Sequence, residues 1–275
     1  MLKDITLGQF FPGNSLVHRL DPRLKLVLTT LYIVVLFLCR GPMPYLILTG
    51  LLLATIAISG VGFRQVTRGL KPILILILIT TLFNVLYTDG GRVLLHWRFL
   101  TVTSYGLYSA FYMVLRIVLL IVGTFTMLTY TTSPIMLTDA LESVLSPLKR
   151  LHVPVHELSM MMSIALRFIP TLVEETDKIM AAQKSRGADF ESGNLLQRAR
   201  ALIPILIPLF ISAFRRAEEL ATAMECRCYR GDVGRTRLRV LRMQRLDYVT
   251  LAVCLLLFAA AIVTNYTVSF GVIVP

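Results

Sequence analysis

Two short stretches of the chain carry residues that could bind a partner through charge. AQKSRGAD (182–189) and AMECRCYR (223–230) each place an arginine four residues after an alanine, between two small residues. A guanidinium is a planar fork of donors suited to bidentate pairing with carboxylates, and small neighbours let a partner backbone approach it closely. The alternative is an arginine that complements the dipole of its helix end. Because the pattern occurs twice, we expect a docking surface made of Ser185, Arg186, Gly187, Cys226, Arg227 and Cys228.

The composition indicates what kind of protein presents these arginines. The chain has 275 residues, 56% of them hydrophobic and 16% charged, with a mean hydropathy of +0.72 and a net charge of +12. Soluble domains carry more charge, so we predict an all-α integral membrane protein. In such a protein an excess of lysine and arginine is typical of cytoplasmic loops rather than of nucleic-acid binding.

Five apolar segments are long enough to be membrane spans, which need about 17–25 residues. They are Leu24–Cys39, Tyr45–Gly60, Pro72–Tyr87, Tyr105–Tyr130 and Tyr248–Phe270. The chain then divides into a membrane region at 1–130, a long basic segment at 131–247 and a last span within 248–275. Residues 89–104 alternate apolar and polar side chains after Asp89-Gly90-Gly91, which predicts a short external hairpin.

The distribution of basic residues orients these spans. Of the 28 lysines and arginines, 24 lie in the N-terminal segment, in 61–71 and in 131–247, which five spans place on one side. The positive-inside rule assigns that side to the cytoplasm. We therefore expect a cytoplasmic N-terminus and an external C-terminus.

The basic segment predicts three amphipathic helices, over about Ser133–Arg150, Val155–Arg186 and Leu195–Cys228. Pro147 should end or kink the first helix, and Gly187 should stop the second in a left-handed conformation. The run 201–214 is the rival for a sixth span. We interpret it as a buried or interfacial helix, because it has fourteen residues and contains Pro204 and Pro208.

The sequence contains none of the common catalytic motifs. It has no P-loop, no H-E-x-x-H and no G-x-S-x-G, and Cys226 and Cys228 have no second pair of ligands with metal-site spacing. Arg116 is the one charged residue away from the ends of a predicted span, and for it a pairing role and a functional role stay equally open. We expect no catalytic residue and no metal in this chain. Any energy that this chain uses would have to come from a partner, for which an ATPase is the natural candidate.

Several motifs together resemble the transmembrane T component of energy-coupling factor (ECF) transporters. HRLDPRLKL (18–26) resembles that family's entry into the first span, and SIALRFIPTLVEE (163–175) is similar to its Leu-Arg-Phe-Ile-Pro-Thr run. The two arginine stretches match its paired small-Arg-small signatures. The second departs from the usual pattern, since Cys226 and Cys228 stand where Ala and Gly are often found. The resemblance covers nearly the whole chain.

The resemblance implies a complex of four parts in a prokaryotic cell membrane. Two cytoplasmic P-loop ATPases would bind ATP and magnesium, and a membrane S component would capture a vitamin or another micronutrient. This chain would join them through two long, crossing coupling helices, with Arg186 and Arg227 seated in the two ATPases. The S component would contact Met160, Met161 and Met162, while Asp21, Pro22, Arg23 and Pro170 would have structural roles.

Three other functions remain as alternatives. A self-sufficient channel or secondary carrier is disfavoured by the lack of acidic residues or histidines in the spans. A lipid-handling membrane enzyme lacks a catalytic constellation. A nucleic-acid tether is disfavoured because the basic helices are poor in aromatic residues for stacking. Under the resemblance, substrate selectivity would reside in the S component, and the length and full motif set favour a module shared by several S components.

Overall fold

The computed structural model of the chain describes residues 10–11, 13–88, 90, 93–97, 100–190, 192, 194–231 and 241–267. The chain divides into two compact units. The membrane unit comprises the described residues of Gly8–Ala140 and Val240–Pro275, and the coupling unit those of Leu141–Arg239. The end of the last predicted span, residues 268–270, lies outside the described residues.

The membrane unit is built from helices joined by short connections. Its elements are α1 (Leu16–Arg19), α2 (Pro22–Leu38), α3 (Pro42–Ser59), α4 (Phe63–Leu70), a 3-10 turn (Lys71–Ile73), α5 (Leu74–Tyr87), strands β1 (Val93–Trp97) and β2 (Leu100–Thr103), α6 (Ser104–Thr124) with a π-helical end (Phe125–Thr129), and α10 (Arg245–Thr267). The two strands pair antiparallel, which confirms the predicted hairpin. The all-α membrane fold is confirmed, with this hairpin as its one described sheet.

Five described helical segments are long and apolar enough to cross a membrane: Pro42–Ser59, Gln65–Tyr87, Ser104–Thr129, Leu196–Cys226 and Arg245–Thr267. Four of them overlap predicted spans over most of their length. The first predicted span forms α2, which has only 17 residues, and the fifth candidate is instead a helix of the coupling unit. The run 201–214 is part of this 32-residue helix, which continues through Pro204 and Pro208. Length and composition alone therefore do not separate it from a crossing helix.

The core of the membrane unit centres on α2, which packs against α6 and α10. Tyr32 is buried and its hydroxyl donates to the Leu119 carbonyl at 3.0 Å. A Cβ placed on Gly123 would lie 2.5 Å from the Tyr32 ring, so only glycine allows this approach of α6 to α2. The close packing of α6 against α2 thus depends on a glycine at position 123.

The Asp-Pro-Arg motif forms the start of α2. The Asp21 carboxylate caps the helix by accepting the Arg23 backbone N–H at 2.9 Å, and Pro22 occupies the first turn, where its missing N–H costs nothing. The Asp21 N–H donates to the Asp247 carboxylate at 2.9 Å, and the buried Lys25 ammonium donates to the Thr131 carbonyl at 3.0 Å. The motif therefore caps one helix and ties it to α10.

Arg116 has a structural partner in α3 and a second at the end of α2. Its Nε donates to the Tyr45 hydroxyl at 2.8 Å, and its Nη2 donates to the Cys39 carbonyl at 3.2 Å. Buried polar groups need such partners in a water-poor interior. Of the two roles left open by the sequence, the structure supports pairing.

The coupling unit contains α8 (Val155–Ser185) and α9 (Leu195–Cys226), preceded by the end of α7 (Pro134–Leu145) and a 3-10 turn (Ser146–Leu151). The change of helix type occurs beside Pro147, as predicted. His156 at the start of α8 contacts the Glu142 carboxylate of α7 at 3.0 Å, and both side chains are largely buried. This contact, which the sequence did not suggest, fixes the corner between α7 and α8.

Candidate functional site: two arginine-tipped helix ends

The two long helices of the coupling unit carry the predicted docking residues at their C-terminal ends. With 31 and 32 residues, α8 and α9 are about 46 and 48 Å long. Both helices continue through internal prolines. In α8 this is Pro170, which is exposed, and in α9 they are Pro204 and Pro208. Their bounds agree with the predicted Val155–Arg186 and Leu195–Cys228 within two residues.

The end of α8 is a Schellman motif, in which backbone N–H groups beyond the helix close onto its last carbonyls. The Gly187 N–H donates to the Lys184 carbonyl and the Ala188 N–H to the Gln183 carbonyl, both at 3.0 Å. Gly187 has φ +89°, so the predicted left-handed stop is confirmed. Arg186 is the residue at which the helix ends, with φ −89° and ψ 5°.

The end of α9 repeats this structure bond for bond. The Cys228 N–H donates to the Glu225 carbonyl at 2.9 Å, and the Tyr229 N–H donates to the Met224 carbonyl at 3.0 Å. Arg227 has φ −91° and ψ 12°, close to the values at Arg186. Cys228 occupies the left-handed position with φ +56°, which an L side chain adopts at a cost. The repeated sequence is therefore a repeated local structure.

This geometry bears on the two interpretations of the arginines. Two of the last carbonyls of each helix accept backbone N–H groups, so the Schellman closure itself does not require the guanidinium groups. All six residues of the two tips, 185–187 and 226–228, are exposed. Within the described part of the chain neither guanidinium has a hydrogen-bond or ion-pair partner. Two identical helix ends thus present two arginines outward.

An ion pair between α8 and α9 joins the two helices that carry the arginine tips. The Arg216 guanidinium donates to the Glu175 carboxylate at 2.8 Å, and its Nε lies 3.4 Å from the Ser212 hydroxyl. A hydrogen bond from Ser212, with the nearby charge of Arg216, lowers the pKa of the Glu175 carboxyl. The sequence did not indicate this pair, because its two members lie 41 positions apart on different helices. Helical spacing alone gives no signal for it.

Apolar residues at three- and four-residue spacing predict one apolar stripe on each long helix, and the α9 stripe includes Phe210, Phe214 and Ala217. These stripes include more than the packed faces. Between α8 and α9 lies a cleft lined by Ile164, Phe168, Leu172, Ala213, Ala217, Leu220 and Met224. Phe210 and Phe214 of the predicted α9 stripe are instead 61% and 71% exposed. Of the three predicted methionines, Met161 and Met162 are exposed and Met160 is half-buried. Each helix therefore keeps an apolar face that α8–α9 packing does not use.

The structure shows no metal-binding cluster in the described ranges, since no three His, Cys, Asp or Glu side chains lie together there. Cys226 and Cys228 are both free thiols at the α9 tip. The site is therefore built from exposed guanidinium groups and apolar faces. Such a surface can bind another protein.

Comparison with known proteins agrees with this description. Residues 13–238 match the family described as CbiQ, cobalt transport protein. Over 266 residues the chain is 51% identical to the energy-coupling factor transporter transmembrane protein EcfT of Ruminiclostridium cellulolyticum, covering 97% of this chain and 99% of that protein. It is 52% identical to the EcfT protein of Clostridium kluyveri, with 96% and 98% covered, and 54% identical to that of Acidaminococcus fermentans, with 94% and 96% covered. The chain belongs to the CbiQ family and is a transmembrane T component of energy-coupling factor transporters.

Proposed function

We propose that this chain transmits ATP-driven movement from two cytoplasmic ATPases to a membrane S component that takes up a vitamin or another micronutrient. The observation that carries the proposal is the pair of matching helix ends, each presenting one exposed arginine. Two equivalent tips suit two related partner subunits of an ABC-type importer, each with an acidic groove for one guanidinium. Movement of the grooves would be carried along α8 and α9, which are stiff enough to act as levers about 46 and 48 Å long.

Energy conversion in this proposal takes place outside the chain. The sequence has no P-loop, so the partner ATPases would bind ATP and magnesium, and this subunit would be non-catalytic without a cofactor of its own. Its contribution would be mechanical: holding two guanidinium groups at fixed positions on one rigid unit. The Glu175–Arg216 contact supports that role, because it ties the two helices together at a point between their prolines and their tips.

The S component would bind the exposed apolar faces of the coupling unit. Met161 and Met162 are 57% and 45% exposed on α8, close to the exposed Leu158. Methionine has flexible, polarisable side chains that adapt to partners of different shape. A surface of this kind suits a module that serves several S components, although the substrate would be selected by the partner.

We place the two tips and the N-terminus in the cytoplasm and the C-terminus outside. The basic residues support this orientation with α9 on the cytoplasmic side. If α9 crossed the bilayer, the seven arginines of 227–245 would fall on the external side. The positive-inside rule disfavours that arrangement, whatever the length of the helix.

The test uses the full chain produced together with its two ATPases and its S component. We expect the double variant Arg186→Ala/Arg227→Ala to lose ATPase co-purification, because truncating one partner of a buried charge pair costs about 2–5 kcal/mol. Substitution by Glu should be more damaging than Ala, since like charges would then face each other. Arg198→Ala is the matched control, an exposed arginine near the other end of α9.

Membrane insertion of the double variant should be normal. A double variant that binds both ATPases and supports uptake would overturn the docking role of the arginines. Transport by the purified chain alone in liposomes would instead favour a self-sufficient carrier.

A further inference from the structure

An apolar groove opens on the surface of the membrane unit, between α3 and α10 and beside α1. Its cavity volume is about 540 Å³. Leu28, Leu51 and Cys254 are buried along its floor, whereas Leu46, Ile58 and Val253 at its edges are about half exposed or more. Since α3 and α10 can both cross a membrane, this groove would open to lipid. It lies within the membrane unit and contains none of the proposed docking residues.

The length and volume of the groove match those of one lipid acyl chain. Its lining runs from Leu46 to Ile58 on α3 and from Leu246 to Leu257 on α10, which are lengths of about 18 and 16 Å. One leaflet of hydrocarbon is about 15 Å deep, half of a 30 Å core. At about 30 Å³ for a water-sized group, the groove holds about 18 methylenes, or one acyl chain.

The charges at one end of the groove indicate the lipid headgroup. Arg19 directly precedes the lining residue Leu20, Arg245 directly precedes Leu246, and both arginines are exposed. The acidic side chains at this end, Asp21 and Asp247, are 6% and 3% exposed and both accept backbone N–H groups. Their charges are therefore buried rather than presented at the surface. The end of the groove near α1 is left with a positive surface.

We propose that this groove binds one acyl chain of an anionic phospholipid of the cytoplasmic leaflet, with the phosphate paired to Arg19 and Arg245. The leaflet follows from the orientation given under Proposed function, on which this part of the inference rests. The cytoplasmic leaflet is the anionic one, and each arginine near it contributes attraction to acidic headgroups. The bound lipid would fill the space between α1, α3 and α10 as a structural component of the membrane unit.

Gly50 offers a direct way to fill the groove. It lies in the groove lining, and a Cβ on it would meet no atom within 4 Å, so a larger side chain enters open space. Native mass spectrometry of the full chain, with added phosphatidylglycerol or phosphatidylcholine, measures the bound lipid. We expect Gly50→Phe to lower the bound phosphatidylglycerol at least about tenfold, a change equivalent to 1.4 kcal/mol. Ala57→Phe, on an exposed α3 position outside the groove, should retain it.

The headgroup is tested separately with Arg19→Gln/Arg245→Gln. Two arginines near an anionic surface should favour phosphatidylglycerol over phosphatidylcholine by about thirty-fold, and this preference should vanish in the double variant. Arg40→Gln, an exposed arginine after the other end of α2, is the matched control and should leave the preference unchanged.

Each outcome decides part of the proposal. Equal lipid binding by wild type and Gly50→Phe overturns the groove as the site, and equal binding of the two lipids by wild type overturns the anionic headgroup. A cross-link from the S component to Val253 in the assembled complex would show a protein occupant and also overturn it. Because lipid binding is measured without partner subunits, its failure leaves the Arg186 and Arg227 experiment unaffected, and the reverse holds as well.

Discussion

The left-handed cysteine at the tip of α9 gives a sharp prediction about local stability. Cys228 has φ +56° where the equivalent position of α8 has a glycine, and the remaining bonds of the two ends match. A left-handed L residue costs about 1–2 kcal/mol, part of which glycine returns through its greater freedom in the unfolded chain. Cys228 is exposed, so Cys228→Gly removes little packing. We expect it to stabilise the α9 end by about 1 kcal/mol.

Hydrogen exchange of the amide that closes the motif measures this change. The Tyr229 N–H donates the outer bond to Met224, and 1 kcal/mol corresponds to about fivefold slower local opening. Cys228→Ala is the matched control, because it removes the thiol but keeps the Cβ that causes the cost. The reciprocal variant Gly187→Ala should speed exchange of the Ala188 amide by a similar factor. A Cβ at Gly187 meets no atom within 4 Å, so backbone conformation is its main cost.

Two results would refute this reasoning. If Cys228→Gly leaves Tyr229 exchange unchanged, the left-handed conformation carries no penalty at this tip. If Cys228→Ala slows exchange as much as Cys228→Gly, the effect comes from the thiol rather than from the backbone.

Three further predictions concern packing within each unit. Arg216→Glu should loosen the α8–α9 crossing and reduce the coupling of ATP hydrolysis to uptake. The exchanged pair Glu175→Arg/Arg216→Glu should restore that coupling. Unchanged coupling in Arg216→Glu would contradict a role for this ion pair. The folded structure lowers the pKa of Glu175, so the Glu175–Arg216 contact should be fully present above pH 4.5, the ordinary pKa of a glutamate. The contact should be lost as the pH falls through the lowered pKa. Distances between spin labels on α8 and α9, measured against pH, would detect this loss. Gly123→Ala should destabilise the membrane unit by about 1–3 kcal/mol, since its Cβ meets the Tyr32 ring, whereas Gly50→Ala in open space should not; equal melting temperatures for both would contradict the close approach.

The sequence predicted the helices of the coupling unit well because local rules determine them. Pro147 marked the change of helix type, and Gly187 marked the end of α8, each through its own backbone chemistry. The same rules indicated the two arginine tips, since their pattern is contiguous in the chain. The left-handed conformation of Cys228 was not predicted, because cysteine, unlike glycine, rarely adopts it and so gives no signal for it in the sequence.

Contacts between distant segments could not be predicted in this way. The pairs Glu175–Arg216 and Glu142–His156 join residues on separate helices, and which faces meet depends on packing that one sequence does not specify. The apolar stripe of α9 is an example. Phe210 and Phe214 shared that stripe with Ala217 by spacing, yet only Ala217 lines the cleft against α8.

The bond from the Asp21 backbone to Asp247 has a consequence for biosynthesis. It joins residues 226 positions apart, so α2 cannot acquire this partner until α10 has been translated. At about 5–20 residues per second, that interval is about 11–45 seconds. Throughout that interval α2 has its own capping carboxylate but lacks its neighbour α10. Completion of the membrane unit therefore depends on a late-translated helix, and a nascent chain without α10 would lack the bond that ties the start of α2.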